Sequence, residues 1–529
     1  MKSIFNKTLG VVVMASMALF TSCLKDLDTV PLDPSVVTSG TVYEKFDNYI
    51  QVLAKCYAGL VLTGQQGPSG NADLAGLDEG FSQYMREYWY IQELTTDEAI
   101  IGWNDGSLRD YQEMDWSSAN EFIAVMYSRI FYQIALCNEF IGQASESKVS
   151  GRGFTSDQVA AIAQYRAEAR FLRAFSYYHA LDMFGNVPFV DENSGVGSYL
   201  PQQISRVDLF NYVESELKDI ESALPAPKGN SYGRVDQACV WMLLARLYLN
   251  AEVYGAGNHY ADVITEVNKV IAVTGYTLED TYQHMFMADN NLANGIIFAI
   301  PQDGVRIQTW GGTTFLVNAQ IGGTMVPANF GVSSAWWGLR AKPEFVAKFP
   351  ADNSDTRKMF YTSGQTLAIP DMFTFTNGYA VTKWSNIKST GGAGSNSTYP
   401  DTDWPVFRLA DAYLMYAEAF LRGGGGTQAN ALNYVNAIRE KAYGGVAGDI
   451  TAGQLTLSFI LDERARELYW EGYHRTDLIR FDMFTGGNYV WAWKGGVQAG
   501  TSTNAKYKLL PIPSADKSAN PNLEQNDGY

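Results

Sequence analysis

Histidine and cysteine are scarce in this 529-residue chain, four of each, and the scarcity removes the usual materials of metal and redox sites. His179, His259, His284 and His474 are dispersed, and none falls in an H-E-x-x-H or comparable spacing. Cys56, Cys137 and Cys239 each lie in an apolar, helix-like stretch without C-x-x-C spacing, so they read as small buried residues, neither a disulfide framework nor a zinc site. Basic residues are in deficit, 39 Lys and Arg against 56 Asp and Glu for a net charge of −17, which argues against a nucleic-acid partner. Long apolar runs are missing too. The run at 9–20 covers about a dozen residues where a membrane-spanning helix needs about 20, and no later segment is longer, so a permanent transmembrane helix is not expected.

That short run carries a different message. Lys2 and Lys7 precede it and the small residues Thr21 and Ser22 end it, the layout of a secretory signal peptide over residues 1–22. Cys23 follows directly, where a bacterial lipoprotein is cleaved and acylated, so Cys23 is the expected mature N-terminus and lipid anchor; Phe20 stands where that motif usually has Leu. Loss of Lys2 and Lys7 takes the formal charge from −17 to −19. Residues 23–40, with Asp26, Asp28, Pro31, Asp33, Pro34 and Gly40, read as an extended polar leader.

Beyond it, helical spacing of apolar residues runs over 42–62, 121–141, 157–184, 208–224, 235–251 and 260–273. The stripe of Phe171, Leu172, Phe175, Tyr178 and His179 stops at Gly185 and Pro188, a breaker pair. Val406, Leu409, Ala410, Tyr413, Tyr416, Ala417 and Phe420 repeat the helical spacing; a four-glycine loop at 423–426 and a helix over 428–442 complete a hairpin. The expected fold is mainly α, built of tetratricopeptide-like hairpins without a strict 34-residue repeat. Residues 276–404 interrupt it with Gly, Asn, Thr and short apolar runs such as 295–300, a loop-rich insertion with short strands. The organisation expected is a helical region 41–275, the insertion 276–404 and a second helical region 405–529.

Catalytic motifs fail on their context. Gly229-Asn230-Ser231-Tyr232-Gly233 matches G-x-S-x-G, but a nucleophile elbow needs a strand before the serine, and Pro225 and Pro227 stand there. Glu463, Glu467 and Glu471 fall at i, i+4 and i+8, as a glycosidase carboxylate pair would on one helical face. Arg464, Arg466, Arg475 and Arg480 are interleaved with them, so structural ion pairs are expected and no enzyme activity. The acidic loops at Asp289 and Asp401 read as turn and helix caps; calcium is the other use of such loops, and no metal or cofactor is assigned.

What the chain has in abundance is aromatic: 12 Trp, 32 Tyr and 27 Phe. Trp103, Trp310, Trp336 and Trp337 sit in Gly-rich and polar contexts outside any helical stripe. A pyranose presents a flat face of C–H groups to such a ring and hydroxyls to polar neighbours, and Trp103 with Asn104 and Asp105 offers both. The competing use is core: the rings would plug the insertion's own small interior.

Several segments carry a family resemblance. Arg170-Phe171-Leu172-Arg173-Ala174 running to Phe184-Gly185-Asn186-Val187-Pro188 resembles the arginine-rich helix and G-x-x-P stop of the SusD/RagB family, and Leu244-Ala245-Arg246-Leu247-Tyr248-Leu249 resembles its next helical hallmark. Tyr416-Ala417-Glu418-Ala419, Glu463-Arg464 with Glu467-Leu468 and Glu471-Gly472, and the terminal Pro511-Ile512-Pro513 with Gln525-Asn526-Asp527-Gly528-Tyr529 extend it over essentially the whole mature chain. The resemblance implies a tetratricopeptide-like right-handed superhelix supporting a loop-rich half, on a lipid-anchored, surface-exposed outer-membrane protein without catalysis. It also implies a partner, a TonB-dependent SusC-like barrel that imports the captured oligosaccharide.

Glu93-Leu94-Thr95-Thr96-Asp97-Glu98, Phe286-Met287-Ala288-Asp289-Asn290, Thr398-Tyr399-Pro400-Asp401-Thr402-Asp403 and Trp491-Ala492-Trp493-Lys494-Gly495-Gly496 resemble the starch-binding branch in particular. That implies an α-glucan or malto-oligosaccharide ligand on an arc of rings, at positions matched here by Trp103, Trp310 and Trp336. Arg86 matches a hydroxyl partner, and Asn104, Asp105 and Gly106 match the loop that supplies a polar contact. Trp310 departs from the tyrosine expected there, keeping a stacking face while changing the hydrogen bonding. A protein-binding helical scaffold and a binder of a different glycan are the alternative readings.

Overall fold

Six of the nine described helices of twelve or more residues start on a side chain that accepts the backbone N–H groups the first turn leaves free. Asn120 caps Glu121–Gln143, Thr155 and Gln158 form a reciprocal capping box on Ser156–Met183, Ser205 caps Arg206–Ile220, and Asp236 caps Gln237–Leu249. Thr427 and Thr456 do the same for Gln428–Tyr443 and Leu457–Leu468. These helices, with Phe46–Ala58 and Tyr260–Ile271, answer the periodic stretches of the sequence to within a few residues. The computed structural model describes residues 39–195, 197 and 199–529, so Cys23, the signal-peptide stretch and nearly all of the leader lie outside the described residues.

Within residues 39–49 a helical turn, Ser39–Val42, precedes a Tyr43 ring set edge-on to Tyr49 at 5.1 Å. Residues 50–529 form one further unit that takes in both helical regions and the insertion. Helix Glu121–Gln143 packs on Ser156–Met183, which packs on Arg206–Ile220; Gln237–Leu249 packs on Tyr260–Ile271. Tyr260–Ile271 then meets Leu409–Leu421 from beyond the insertion, which in turn carries Gln428–Tyr443 and Leu457–Leu468. The result is a mainly helical, tetratricopeptide-like layer of neighbouring helices with the loop-rich segment spliced into its middle.

One periodicity misleads. Val406 belongs to the strand Trp404–Arg408, antiparallel to Ile296–Ile300, and not to the helix that begins at Leu409. All five strand residues are buried, so the alternation that marks a half-exposed strand is absent, and Pro405 cannot donate a helical hydrogen bond.

Glu471 likewise leaves the helical face on which its spacing put it, because the helix ends at Leu468 and Trp470 turns into the left-handed region at φ 60°. Tertiary hydrogen bonds take that backbone: Trp470 N–H donates to Glu98 Oε2 at 3.1 Å, and the Trp89 indole donates to the Trp470 carbonyl at 3.1 Å. Glu463, Glu467 and Glu471 are all buried against cations. Arg357 reaches Glu463 and Glu467, Arg408 reaches Glu467 and Glu471, and Lys383 reaches Glu471 at 2.8 Å.

Beneath these lies a second acidic cluster. Glu93 accepts from the Gly472 and Tyr473 N–H groups, and Asp97 accepts from His474 at 2.7 Å and from Tyr489 at 2.7 Å. Burial lifts the Glu93 carboxyl from its ordinary 4.5 to about 7 despite its hydrogen bond to Glu98 and the nearby His474, while burial and Glu93 itself push Glu98 well up. The pair shares a proton that the unfolded chain releases near pH 4.5, so stability falls as pH rises from about 4.5 towards 7. Glu93→Gln keeps an acceptor for the two N–H groups and supplies a permanent donor to Glu98. It is expected to reduce the fall in melting temperature between pH 5 and pH 8, and an unchanged slope would refute the shared proton.

Candidate functional site

Trp103 and Trp336 are 233 residues apart in the chain, yet the Trp103 indole N–H donates to the Trp336 carbonyl at 2.9 Å. A minimal ladder makes this possible: Ile100 pairs with Arg340, Ile101 with Leu339, and Gly102 N–H donates to the Gly338 carbonyl at 2.9 Å. Glycine is required at 338, because a Cβ there would lie 2.8 Å from the Trp103 ring.

Helix Gly312–Ala319 brings in the third ring. Trp310 stands just before its first turn, while carbonyls of Asn318 and Ala319 at its far end accept the N–H groups of Trp336 and Gly338 at 3.0 and 2.9 Å. Gln83 ties this helix to Tyr84–Trp89: its Oε1 accepts from Gly312 N–H at 3.0 Å and from Arg86 N–H at 2.7 Å. The loop ahead of Trp404–Arg408 is held the same way, with Thr313 donating to the Thr402 carbonyl at 2.6 Å, and it delivers Tyr399.

Four rings therefore follow one another along the surface. Trp103 and Trp336 have centroids 6.3 Å apart and planes 45° apart; Trp336 and Trp310 follow at 6.0 Å and 50°, and Trp310 and Tyr399 at 4.9 Å and 53°. All four are half-buried. With 45–53° between successive planes, no single flat face lies parallel to neighbouring rings of the run.

Arg86 lies behind the rings. It is 4 % exposed, its Nε donates to Tyr90 Oη at 2.7 Å and its Nη1 to the Trp310 carbonyl at 3.2 Å. Its guanidinium sits 4.2 Å from the Phe81 ring centre, 4.7 Å from Phe315 and 5.5 Å from Trp103, so ring faces meet its charge and it forms a floor under Trp103 and Trp310. Asn104 and Asp105 are exposed beside Trp103. Gly106 turns at φ 45°, where a Cβ would strike the Glu121 carboxylate, and offers only backbone.

The structure thus brings together Trp103, Trp310, Trp336 and Arg86, with Asn104 and Asp105 at one end. Trp337 is not among them; its φ of 55° turns the ring away, half exposed, onto Phe375. Sequence reasoning missed Tyr399 as a ring of the arc, although it lies in a segment whose starch-branch resemblance pointed to it.

The remaining motifs have structural occupations. Ser231 sits in a turn after the 3-10 segment Glu221–Ala223, with no strand before it. Asp289 accepts from the Ser389 N–H and hydroxyl, and Asp401 from Gly304 N–H and from Ser395, so both cap turns. His179 stacks on Tyr88 at 4.3 Å, and burial, with the Arg246 charge, holds it down to about 3, neutral at physiological pH. Among the described residues no group of three or more His, Cys, Asp or Glu is placed to hold a metal ion, and no helix is long and apolar enough to cross a membrane.

Comparison with known proteins adds lineage to this geometry. A model of the SusD family matches residues 304–529. The starch-binding protein SusD of Bacteroides thetaiotaomicron is 36% identical over a 582-residue alignment covering 100% of this chain and 99% of that protein. SusD-like protein P2 of Formosa agariphila is 26% identical, with 74% of this chain and 78% of its own length aligned. Among solved structures, surface glycan-binding protein A from Bacteroides thetaiotaomicron in complex with laminarihexaose superposes with a TM-score of 0.69 at 20% identity, over 91% of this chain and 99% of that one. A SusD homolog from the same organism reaches a TM-score of 0.72 at 18% identity, over 93% of this chain and 98% of that one.

Proposed function

As this chain belongs to the SusD family, we propose that it captures starch-type α-glucan and malto-oligosaccharides at the cell surface and passes them, unaltered, to a TonB-dependent SusC-like outer-membrane barrel. The observation that carries the ligand class is the run of four rings, each tilted 45–53° from the next. An α-1,4-linked chain coils, so successive sugar faces turn along its length and can meet successive rings; a β-1,4-linked ribbon is flat and would stack on one. Arg86 fixes the floor, and Asn104 and Asp105 supply hydrogen-bonding groups at the Trp103 end. The full-length relative named for starch binding supports the same ligand.

A different glycan is the second reading, because β-1,3-glucans also coil and one structural neighbour holds laminarihexaose. Native electrophoresis through gels containing amylopectin or laminarin separates the two. Retardation by amylopectin alone, with no reducing sugar released, is the expected result; retardation by laminarin alone would reassign the ligand, and sugar release would revive a hydrolase.

Cys23 is the proposed lipid attachment site, following the apolar run and small residues of the N-terminus. Cys23→Ala is expected to release the protein from the membrane fraction with its melting temperature unchanged. A wild-type protein without acyl mass would contradict the anchor.

A further inference from the structure

Trp336 and Trp337 are neighbours in sequence, but Trp336 joins the arc while Trp337 contacts Phe375. The Trp337 N–H is pinned to the Ile321 carbonyl at 2.9 Å, its backbone sits at φ 55°, and its side chain is 51% exposed. A left-handed conformation is unfavourable for a bulky L residue, and Gly or Asn would meet it with less strain. Core packing does not explain a large ring there, because half of it faces solvent.

The ground around this ring is built. Its inner edge meets Phe375, centroids 5.7 Å apart. Beneath, the fully buried Arg340 donates to the carbonyls of Met372, Thr374 and Asn377, fixing the loop that presents Phe373, 38% exposed. The exposed Asp371 carboxylate and Thr374 stand within this loop. A Cβ on Gly102 would lie 3.3 Å from the Trp337 carbonyl and 3.4 Å from the Phe373 carbonyl, so the patch abuts the root of the Trp103 loop.

From this placement we propose that Trp337 and Phe373 form a second, outward-facing glucan contact that holds the continuation of a chain already seated on the four-ring arc. The inference rests on the α-glucan reading above. Two exposed rings, with the Asp371 carboxylate held in the Phe373 loop by the Thr374 hydroxyl and the Phe373 N–H and keeping further acceptor capacity, have the mixed character that sugars need. Continuity with the arc through the Trp336–Trp337 peptide selects the same polymer as occupant. A short oligosaccharide fills the arc alone. A polymer reaches both, and the second contact then acts at high effective concentration.

The test compares Trp337→Ala, Trp337→Asn and Trp103→Ala against maltoheptaose by calorimetry and against amylopectin by affinity electrophoresis. Both Trp337 variants should bind maltoheptaose as the wild type does and amylopectin about tenfold more weakly, the loss of one stacked ring. Trp337→Asn suits the left-handed backbone and keeps the test valid should the alanine variant fold poorly. Unchanged amylopectin binding, with Trp103→Ala abolishing it, overturns the second contact alone. Equal loss of maltoheptaose binding places Trp337 in the first site and also overturns it. If the wild type binds neither ligand, the α-glucan reading itself fails and takes this inference with it; if it binds both and Trp103→Ala changes neither, the rings are not the site and the second contact beside them is overturned as well. Intact glucan binding with lost copurification of the barrel makes the patch a protein contact instead.

Discussion

Trp336→Ala is expected to weaken α-glucan binding by about 1–3 kcal/mol, one to two decades in affinity, with little change in melting temperature. The indole is half-buried with its ring contacts to neighbouring rings of the arc, and the structural task of residue 336, accepting the Trp103 indole N–H, belongs to its backbone carbonyl and survives substitution. Trp103→Ala is expected to differ. It removes that hydrogen bond, edge contacts with Phe81 and Phe315 and a face over Arg86, so binding and stability should fall together. Its stability loss should stay below the ~3–5 kcal/mol of a fully buried Trp. Calorimetry with maltoheptaose and thermal melts on the same samples check both. If Trp336→Ala lowers the melting temperature by many degrees while the folded fraction still binds amylopectin normally, the rings are core and the site lies elsewhere.

How legible this arrangement was in the sequence depended on the range of the interaction that fixes it. Helices announced themselves through local apolar spacing, as in the stripe from Phe171 to His179 that stops at Gly185 and Pro188; the caps at Thr155, Ser205 and Asp236 are equally local, and the structure supplied them. Three rings of the arc were visible, with Trp337, as tryptophans in polar, glycine-rich settings, and family resemblance picked those three; Tyr399 was not singled out. Its assembly was not visible, because the ladder that joins Trp103 to Trp336 is two residues long on each side and leaves no periodicity to read. Arg86 was expected to face sugar hydroxyls, and only the fold revealed that Phe81, Phe315 and the Trp310 carbonyl enclose its guanidinium. Trp337 and Trp470 were hidden for a similar reason: a left-handed backbone at a tryptophan is imposed by distant hydrogen bonds, to Ile321 in one case and Glu98 in the other.

Glu463→Ala is expected to cost about 3–5 kcal/mol of stability, the loss seen when one partner leaves a buried ion pair. The carboxylate is fully buried and accepts from Arg357 Nη1 at 2.8 Å, Arg439 Nη1 at 2.7 Å and Arg466 Nη2 at 2.7 Å. Burial alone would push its carboxyl up; the three guanidinium groups more than reverse this and hold it well below the usual carboxylate range. Arg357 keeps Asp355 and Glu467 after the substitution, so the damage concentrates on Arg439 and Arg466, whose remaining partners include the Gly448 and Lys348 carbonyls. A catalytic carboxylate would behave in the opposite way, since removing an exposed, electrostatically frustrated acid leaves stability unchanged or raises it. The pH dependence carries its own sign. With its native value depressed, ionised Glu463 stabilises the fold above about pH 4.5, and that contribution is lost as pH falls through the native value. The variant should therefore melt well below the wild type at pH 7, the gap should narrow under acid, and the folded fraction should still bind amylopectin. A variant as stable as the wild type would remove Glu463 from the structural network and reopen the question of what so acidic a buried group is for.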